Sequence, residues 1–153
     1  MDFNEALNLK ADDIKQPPKL PVGTYTALVA KVPEISLSED QRFKFVDFQL
    51  RLVKAEQDVD EDELRQYGGL NGRTIRHRFL FNTGESPEED ASAKRSLYYL
   101  KQFLIDHLQV DKAEMKLMLD DSVNRQCLVS IGRRPDKNNM EIQYEDIKRT
   151  APV

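Results

Sequence analysis

The stretch 43–53, FKFVDFQLRLV, limits the fold more than any other part of this sequence. Apolar residues occupy every second position, which is the period of an extended chain with one buried face. The apolar face consists of Val46, Phe48, Leu50 and Leu52. The opposite face consists of Phe43, Phe45, Asp47, Gln49 and Arg51. The pattern predicts a half-buried strand, and therefore a sheet with a core on one side.

Four further segments have the composition of strands. They are GTYTALVAKVPEI at 23–35, GRTIRHRFLF at 72–81, RQCLVSIGRRP at 125–135 and MEIQYEDI at 140–147. Pro33 indicates an edge or a bend late in the first segment, because proline cannot donate a ladder hydrogen bond. In the segment 72–81, Arg76 and Arg78 share one face and His77 lies on the other, apolar face. We expect His77 to be a core or semi-buried residue.

Helical signals lie between the third and fourth predicted strands. Ser86, Pro87 and Glu89 form an N-terminal signature of N-cap, first helical position and capping box. The helix that follows has an apolar stripe at helical spacing, made of Leu97, Leu100, Phe103, Leu104 and Leu108. A second short helix is predicted around Met115 and Met118.

The order of these elements predicts a mainly β fold, a five-stranded OB-fold barrel with helices between strands 3 and 4. Runs of strands with segregated helices exclude a doubly wound sheet, while other small five-stranded barrels stay open as alternatives. The predicted domain spans 23–148, with an acidic connector at 56–72 and the helices at 87–121. A proline-containing N-terminal arm at 1–22 precedes it, and a short tail at 149–153 follows it.

Composition and motifs exclude several classes of protein. The single cysteine, Cys127, allows no intrachain disulfide, which agrees with a reducing compartment. The N-terminus does not resemble a signal peptide, and no stretch approaches the roughly 18 apolar residues of a membrane span. We therefore expect a cytoplasmic protein that does not enter a membrane. The sequence holds no phosphate-binding glycine loop, metal-ligand spacing or nucleophile elbow, so we expect no enzyme, catalytic residue, metal or cofactor.

The predicted strand segments are basic, and the rest of the chain is acidic. Residues 23–55, 73–82 and 124–153 carry 14 Lys and Arg against 8 Asp and Glu, whereas the remainder carries 9 against 19. A basic sheet with aromatic neighbours can bind a single nucleic-acid strand, because cations pair with phosphates and rings stack on bases. The predicted nucleic-acid-binding residues are Phe43, Phe45, Arg51, Arg73, Arg76 and Arg78 on the sheet, with Arg133, Arg134 and Lys137 beside them.

Five segments in this order resemble a known family. They are LPVGTYTALVAKV at 20–32, FKFVDFQLRLV at 43–53, LNGRTIRHRFLF at 70–81, LYYLKQFLIDHLQV at 97–110 and CLVSIGRRPDKNNMEIQYEDI at 127–147. The chain resembles the phage-encoded OB-fold single-stranded DNA-binding proteins over about residues 20–148. The resemblance implies a protein of the host-cell cytoplasm that coats single-stranded DNA during phage replication or recombination. This sequence departs from the usual single-strand binder in having no acidic tip on the tail KRTAPV and no tryptophan.

Two rival hypotheses remain at this point. In the first, the barrel is a protein-interaction module that contacts a replication, recombination or virion protein through the acids between Glu56 and Glu63. In the second, the same acidic loop binds Mg²⁺ in a small nuclease or accessory enzyme. The sequence leaves open whether the chain forms a homo-oligomer, and whether it prefers DNA or RNA.

Overall fold

The computed structural model describes residues 1–14 and 17–153 of the chain. Residues 15 and 16, which belong to the predicted arm, lie outside the described residues. The strands are β1 Gly23–Val29, β2 Glu34–Leu37, β3 Phe43–Ala55, β4 Thr74–Asn82, β5 Gln126–Pro135 and β6 Gln143–Ala151. The helices are α1 Phe3–Leu7, α2 Glu61–Tyr67, α3 Pro87–Gln102 and α4 Met115–Asp121, with a 3-10 turn at Ala11–Asp13 and a π-helical segment at Phe103–His107.

The long strand β3 is the centre of an antiparallel sheet. One edge of β3 pairs with β2 and then with β1, and its other edge pairs with β4. The second edge of β1 pairs with β5, and β5 pairs in turn with β6. The 13 residues of β3 contain neither glycine nor proline, and its ladder with β4 is continuous from Phe43 to Arg51. Its ladder with β1 shifts register once, between Thr26 and Ala27. The predicted β-rich fold is confirmed.

The predicted first strand is two strands, which makes six strands among the described residues instead of five. Pro33 is buried at the break between β1 and β2, where its missing N–H cannot continue the ladder with β3. Pairing resumes at Glu34, and β2 continues to Leu37, two residues beyond the predicted segment 23–35. The proline therefore produces a bend that divides one strand into two.

The prediction of a closed barrel is wrong for the described residues, because β4 and β6 do not pair with each other. Side chains and a helical segment lie between them instead. Near one end, the Arg73 guanidinium donates to the Glu145 carboxylate. Near the other end, the π-helical segment contacts β6, and His107 Nδ1 lies 2.7 Å from Thr150 Oγ1. Backbone pairing needs strands about 4.8 Å apart, so these bridges take the place of a ladder. We call this gap the seam.

Alternation in the strands separates a core face from an outer face as the sequence predicts. The buried core residues of the strands are Tyr25, Ala27, Val29, Val46, Phe48, Leu50, Leu52, Cys127, Val129 and Ile131. Leu100, Phe103 and Leu104 cover them from α3 and the π-helical segment. The predicted start of α3 is confirmed, since Ser86 Oγ accepts a hydrogen bond from the Glu89 N–H at 3.2 Å.

The end of the predicted arm is part of the packed structure. Leu20 and Pro21 are fully buried, and the Tyr25 hydroxyl donates to the Pro21 carbonyl at 2.7 Å. Residues 1–14 are exposed apart from the half-buried Ala6. At the other end of the chain, β6 continues through Ala151, so the expected tail begins inside a strand.

Candidate nucleic-acid interface

The outer face of the β3–β4 pair carries most of the residues that we predicted to bind nucleic acid. Because the two strands pair in register, the outer-face residues lie opposite each other in pairs. These pairs are Phe45 with Leu80, Asp47 with Arg78, Gln49 with Arg76, and Arg51 with Thr74. Phe43 lies at the far end of the same face, opposite Asn82. The face therefore combines rings, amides and cations, but it also contains one carboxylate.

Arg78 is held by that carboxylate. Its Nε donates to Asp47 Oδ1 at 2.7 Å, and its Nη2 donates to Asp47 Oδ2 at 2.9 Å. These hydrogen bonds hold the pKa of the Asp47 carboxyl below its usual value. The guanidinium carbon also lies 3.8 Å from the centre of the Phe45 ring. The positive charge of Arg78 is thus neutralised, and one side of the Phe45 ring is covered.

Arg76 and Arg51 are the available cations of this face. Both are exposed, and neither side chain makes a hydrogen bond or ion pair with residues 1–14 or 17–153. Gln49, opposite Arg76, reaches only as far as the Thr74 hydroxyl, 3.4 Å away. The two arginines can therefore pair with phosphates without first breaking a hydrogen bond or ion pair to a described residue.

A cationic cleft of about 380 Å³ opens at the seam. We call it the seam cleft; its lining residues are Lys19, Arg73, Thr74, Ile75, Arg76, Arg134, Tyr144 and Glu145. Four of these side chains are cationic and one is acidic. The Arg134 guanidinium lies 5.4 Å from the centre of the Tyr144 ring, and both side chains are exposed. The seam cleft thus offers positive charge next to an accessible ring.

The carboxylate in the seam cleft is already used within the protein. Glu145 Oε1 accepts from the Leu20 N–H at 3.0 Å, and Glu145 Oε2 accepts from Arg73. Arg73 also donates to the Tyr67 hydroxyl at 2.9 Å and to the Thr74 carbonyl at 2.5 Å. Arg73 is therefore a structural link between the end of α2, β4 and β6. Among the described residues, the cations of the seam cleft without a hydrogen bond or ion pair are Lys19, Arg76 and Arg134.

A second cleft, of about 390 Å³, adjoins the seam cleft on the outer face. We call it the sheet cleft; its lining residues are Lys31, Glu34, Asp47, Phe48, Gln49, Thr74 and Arg76. Thr74 and Arg76 line both clefts. The two clefts therefore meet at Arg76 and form one continuous surface from the seam to the bend between β1 and β2.

Six of the predicted residues line neither cleft. Phe45, Arg51 and Arg78 lie on the outer face around Arg76, and the other three lie farther away. Arg133 lies on β5 with its Nη1 atom buried and without a hydrogen-bond partner among the described residues. Burial raises the pKa of the Tyr25 hydroxyl to about 12, and the positive charge of the nearby Arg133 acts on that pKa in the opposite direction. Lys137 is exposed in the hairpin beyond Arg134. The ring of Phe43 is half-buried, and the Arg42 guanidinium lies 5.8 Å from its centre.

Two important contributors to the seam cleft, a cation and an aromatic ring, were not predicted from the sequence. Lys19 comes from the segment that we had assigned to the arm, and Tyr144 comes from the last strand. The signal for Tyr144 was available, because Arg134 and Tyr144 flank a hairpin turn and pair directly across it. No comparable signal exists for Lys19, since its position depends on the burial of Leu20 beside it.

His77 has the structural role that we expected. It lies in an aromatic cluster with Phe79 and Phe103, at ring-centre distances of 4.8 and 5.0 Å. Burial lowers the pKa of His77 to about 4, and the nearby His107 contributes in the same direction. At neutral pH, His77 is therefore an uncharged core residue.

The acidic connector is largely tied to the sheet and to its own helix. Glu56 accepts from the Thr26 hydroxyl at 2.6 Å, and Asp58 accepts from both the N–H and the hydroxyl of Thr24, each at 2.9 Å. Asp60 caps α2 by accepting from the Glu63 N–H, and Asp62 pairs with Arg65. Most of the connector's acids therefore have a partner inside the chain.

Metal-binding groups and membrane-spanning helices are not found in the part of the chain that the structure describes. Within residues 1–14 and 17–153, no three His, Cys, Asp or Glu side chains are grouped in a way that would hold a metal ion. None of the helices in these two ranges has the length and the apolar run needed to cross a membrane. The sequence matches no model of a known protein family and no curated protein.

Proposed function

We propose that this chain is a non-enzymatic single-stranded DNA-binding protein with an OB-fold, acting in phage DNA replication or recombination in the host cytoplasm. The observation that carries the proposal is the continuous surface of the two clefts around Arg76. Along it, Lys19, Arg76 and Arg134 offer positive charge beside the Tyr144 ring, and Arg51 adds a fourth cation next to it, opposite Thr74 on the outer face. This is the combination of backbone neutralisation and stacking that single strands require.

The path of the chain supports the OB-fold part of the proposal. If β1 and β2 count as two halves of one bent strand, five strands remain, with helices between the third and the fourth. The OB-fold is a partly open five-stranded barrel that binds oligonucleotides on the face of its second and third strands and on its loops. Here those strands are β3 and β4, and the seam lies where the barrel would close.

Binding through this surface is independent of base sequence. The cations that line it contact phosphates, which are the same at every nucleotide, and a tyrosine ring stacks on any base. Each phosphate neutralised on a single strand contributes about −0.7 to the slope of log affinity against log salt. Four available cations therefore predict a slope of about −3.

Anisotropy of a fluorescent oligo-dT, titrated with the protein at several salt concentrations, tests the proposal. We expect saturable binding at low salt that weakens with a slope near −3. An RNA oligonucleotide of equal length and a DNA duplex serve as comparisons for the preference between nucleic acids. No binding of oligo-dT at low salt would end the proposal.

The alternative function, protein recognition through the acidic connector, receives less support from the structure. Glu56 and Asp58 hold the connector against β1, so their carboxylates are not available to a partner without loss of those contacts. Deleting the connector would therefore disturb the sheet as well as any interface. The substitution of Glu61 and Glu63 with Gln is the sharper test, because both side chains are exposed.

A further inference from the structure

Arg78 is not explained by phosphate binding. Its charge is cancelled by two hydrogen bonds to Asp47, and both of these residues lie on the same outer face as the available cations. Single ion pairs near a protein surface usually contribute little to stability, and bidentate pairs such as this one are at the favourable end. The arrangement nevertheless fixes the plane of one guanidinium on the surface proposed to bind DNA.

Three observations define the geometry around Arg78. The guanidinium carbon lies 3.8 Å from the centre of the Phe45 ring, which is a stacking distance. The bidentate contact with Asp47 prevents rotation of the guanidinium plane. The side chain of Arg78 is 33% exposed, while that of Asp47 is 16% exposed. The guanidinium therefore covers Phe45 and remains partly open to solvent.

We infer that Arg78 is a stacking platform for a base, with Phe45 as its support and Asp47 as its positioning residue. The inference rests on the proposed function. Guanidinium planes stack on bases as well as on aromatic rings, and a plane already fixed by Asp47 loses little freedom when a base arrives. The predicted order of layers is Phe45, Arg78, base, so that the base contacts Arg78 and not the covered side of the phenylalanine ring.

The neighbouring sheet cleft is suited to the backbone of the same nucleotide. Asp47 lines the sheet cleft, and so does Arg76, whose side chain is available for a phosphate. Gln49 and Thr74 add neutral hydrogen-bonding groups along the cleft. A base on Arg78 and its phosphate at Arg76 would therefore occupy adjoining parts of one surface.

The substitution Arg78→Lys separates stacking from charge, because lysine keeps the positive charge and has no plane. We expect Arg78→Lys to weaken binding of oligo-dT by about 5- to 150-fold, the range for loss of one stacked base, with the salt slope unchanged. The matched control is Arg95→Lys, the same exchange at an exposed position of α3 that lines neither cleft, and it should change affinity by less than about 3-fold. Equal binding by wild type and Arg78→Lys would overturn the inference.

A second measurement uses the wild-type protein and does not depend on how any variant folds. An oligonucleotide with abasic residues keeps every phosphate and removes the bases, so it should bind at least about 5-fold more weakly than oligo-dT of equal length. Against the abasic strand, Arg78→Lys and wild type should bind alike. If wild type binds both strands equally, the platform does not exist, although the phosphate-binding function stands. If wild type binds neither strand, the proposed function fails and the platform fails with it.

Discussion

Arg73 and Glu145 form an ion pair that joins β4 to β6 across the seam, 72 residues apart in the sequence. The pair lies between the last residues of the arm and the end of α2, because Leu20 donates to Glu145 and Arg73 donates to Tyr67. One arginine that we had predicted to bind DNA is therefore part of the framework that shapes the seam cleft.

Replacing Arg73 should destabilise the fold. Arg73→Met leaves Glu145, whose side chain is only 11% exposed, without its cationic partner. An uncompensated polar group of this type costs about 1–3 kcal/mol, so we expect the free energy of unfolding to fall by that amount. Urea denaturation measures this loss in the free energy of unfolding. Arg51→Met is the control, since Arg51 is exposed and should change stability by no more than about 0.5 kcal/mol. Equal midpoints for the two variants would contradict the structural role of Arg73.

The stability of the protein should fall in mild acid because of His77. The pKa of His77 is about 4 in the folded protein and about 6.5 in an unfolded chain, so the unfolded state takes up the proton first. Neutral His77 makes its full contribution to the free energy of unfolding above pH 6.5. This contribution declines as the pH falls below 6.5 and is gone below pH 4. Between pH 6.5 and pH 4, the slope of the free energy of unfolding against pH approaches about 1.4 kcal/mol per pH unit.

His77→Phe isolates this contribution, because the new ring is apolar and joins the cluster of Phe79 and Phe103. Between pH 7 and pH 5, wild type should lose about 2 kcal/mol more than the variant. Urea midpoints at the two pH values provide the comparison. Identical losses in the two proteins would show that His77 does not titrate as its burial requires.

The N-terminal segment should divide into a dispensable part and an essential part at about residue 20. Deleting residues 1–14 removes mainly exposed side chains and should leave the free energy of unfolding within about 0.5 kcal/mol of wild type. Leu20→Ala empties a fully buried site and should cost about 2–5 kcal/mol. Thermal or urea unfolding distinguishes the two. A large loss from the deletion, or none from Leu20→Ala, would place the boundary elsewhere.

The alternating pattern predicted the faces of β3 and β4, because every second side chain of a strand lies on the same side whatever the strand pairs with. The sequence therefore placed Arg76, Arg78 and Phe45 on one outer face, as the structure does. It could not place Asp47 directly opposite Arg78, since that depends on the register between strands. The neutralised charge of Arg78 follows from this register alone.

Barrel closure was not predictable from local patterns. The separation of β4 and β6 depends on the contact between Arg73 and Glu145 and on the π-helical turn that continues α3 at Phe103–His107. An amphipathic stripe predicts a helix but does not distinguish α from π geometry in its last turn. Pro33 gave a better signal, because the bend that it predicted is found between β1 and β2.

The central claim is that a single strand binds along the clefts that meet at Arg76, and charge reversal tests it most directly. The variant Arg76→Glu with Arg134→Glu changes two exposed cations of the seam cleft. Its matched control, Arg95→Glu with Lys116→Glu, makes the same change in net charge on α3 and α4, away from both clefts. In anisotropy titrations of oligo-dT at low salt, we expect the first variant to bind more than about 10-fold more weakly than wild type, and the control to stay within about 3-fold. Equal weakening in both variants would mean that binding follows net charge alone, and it would contradict the claim.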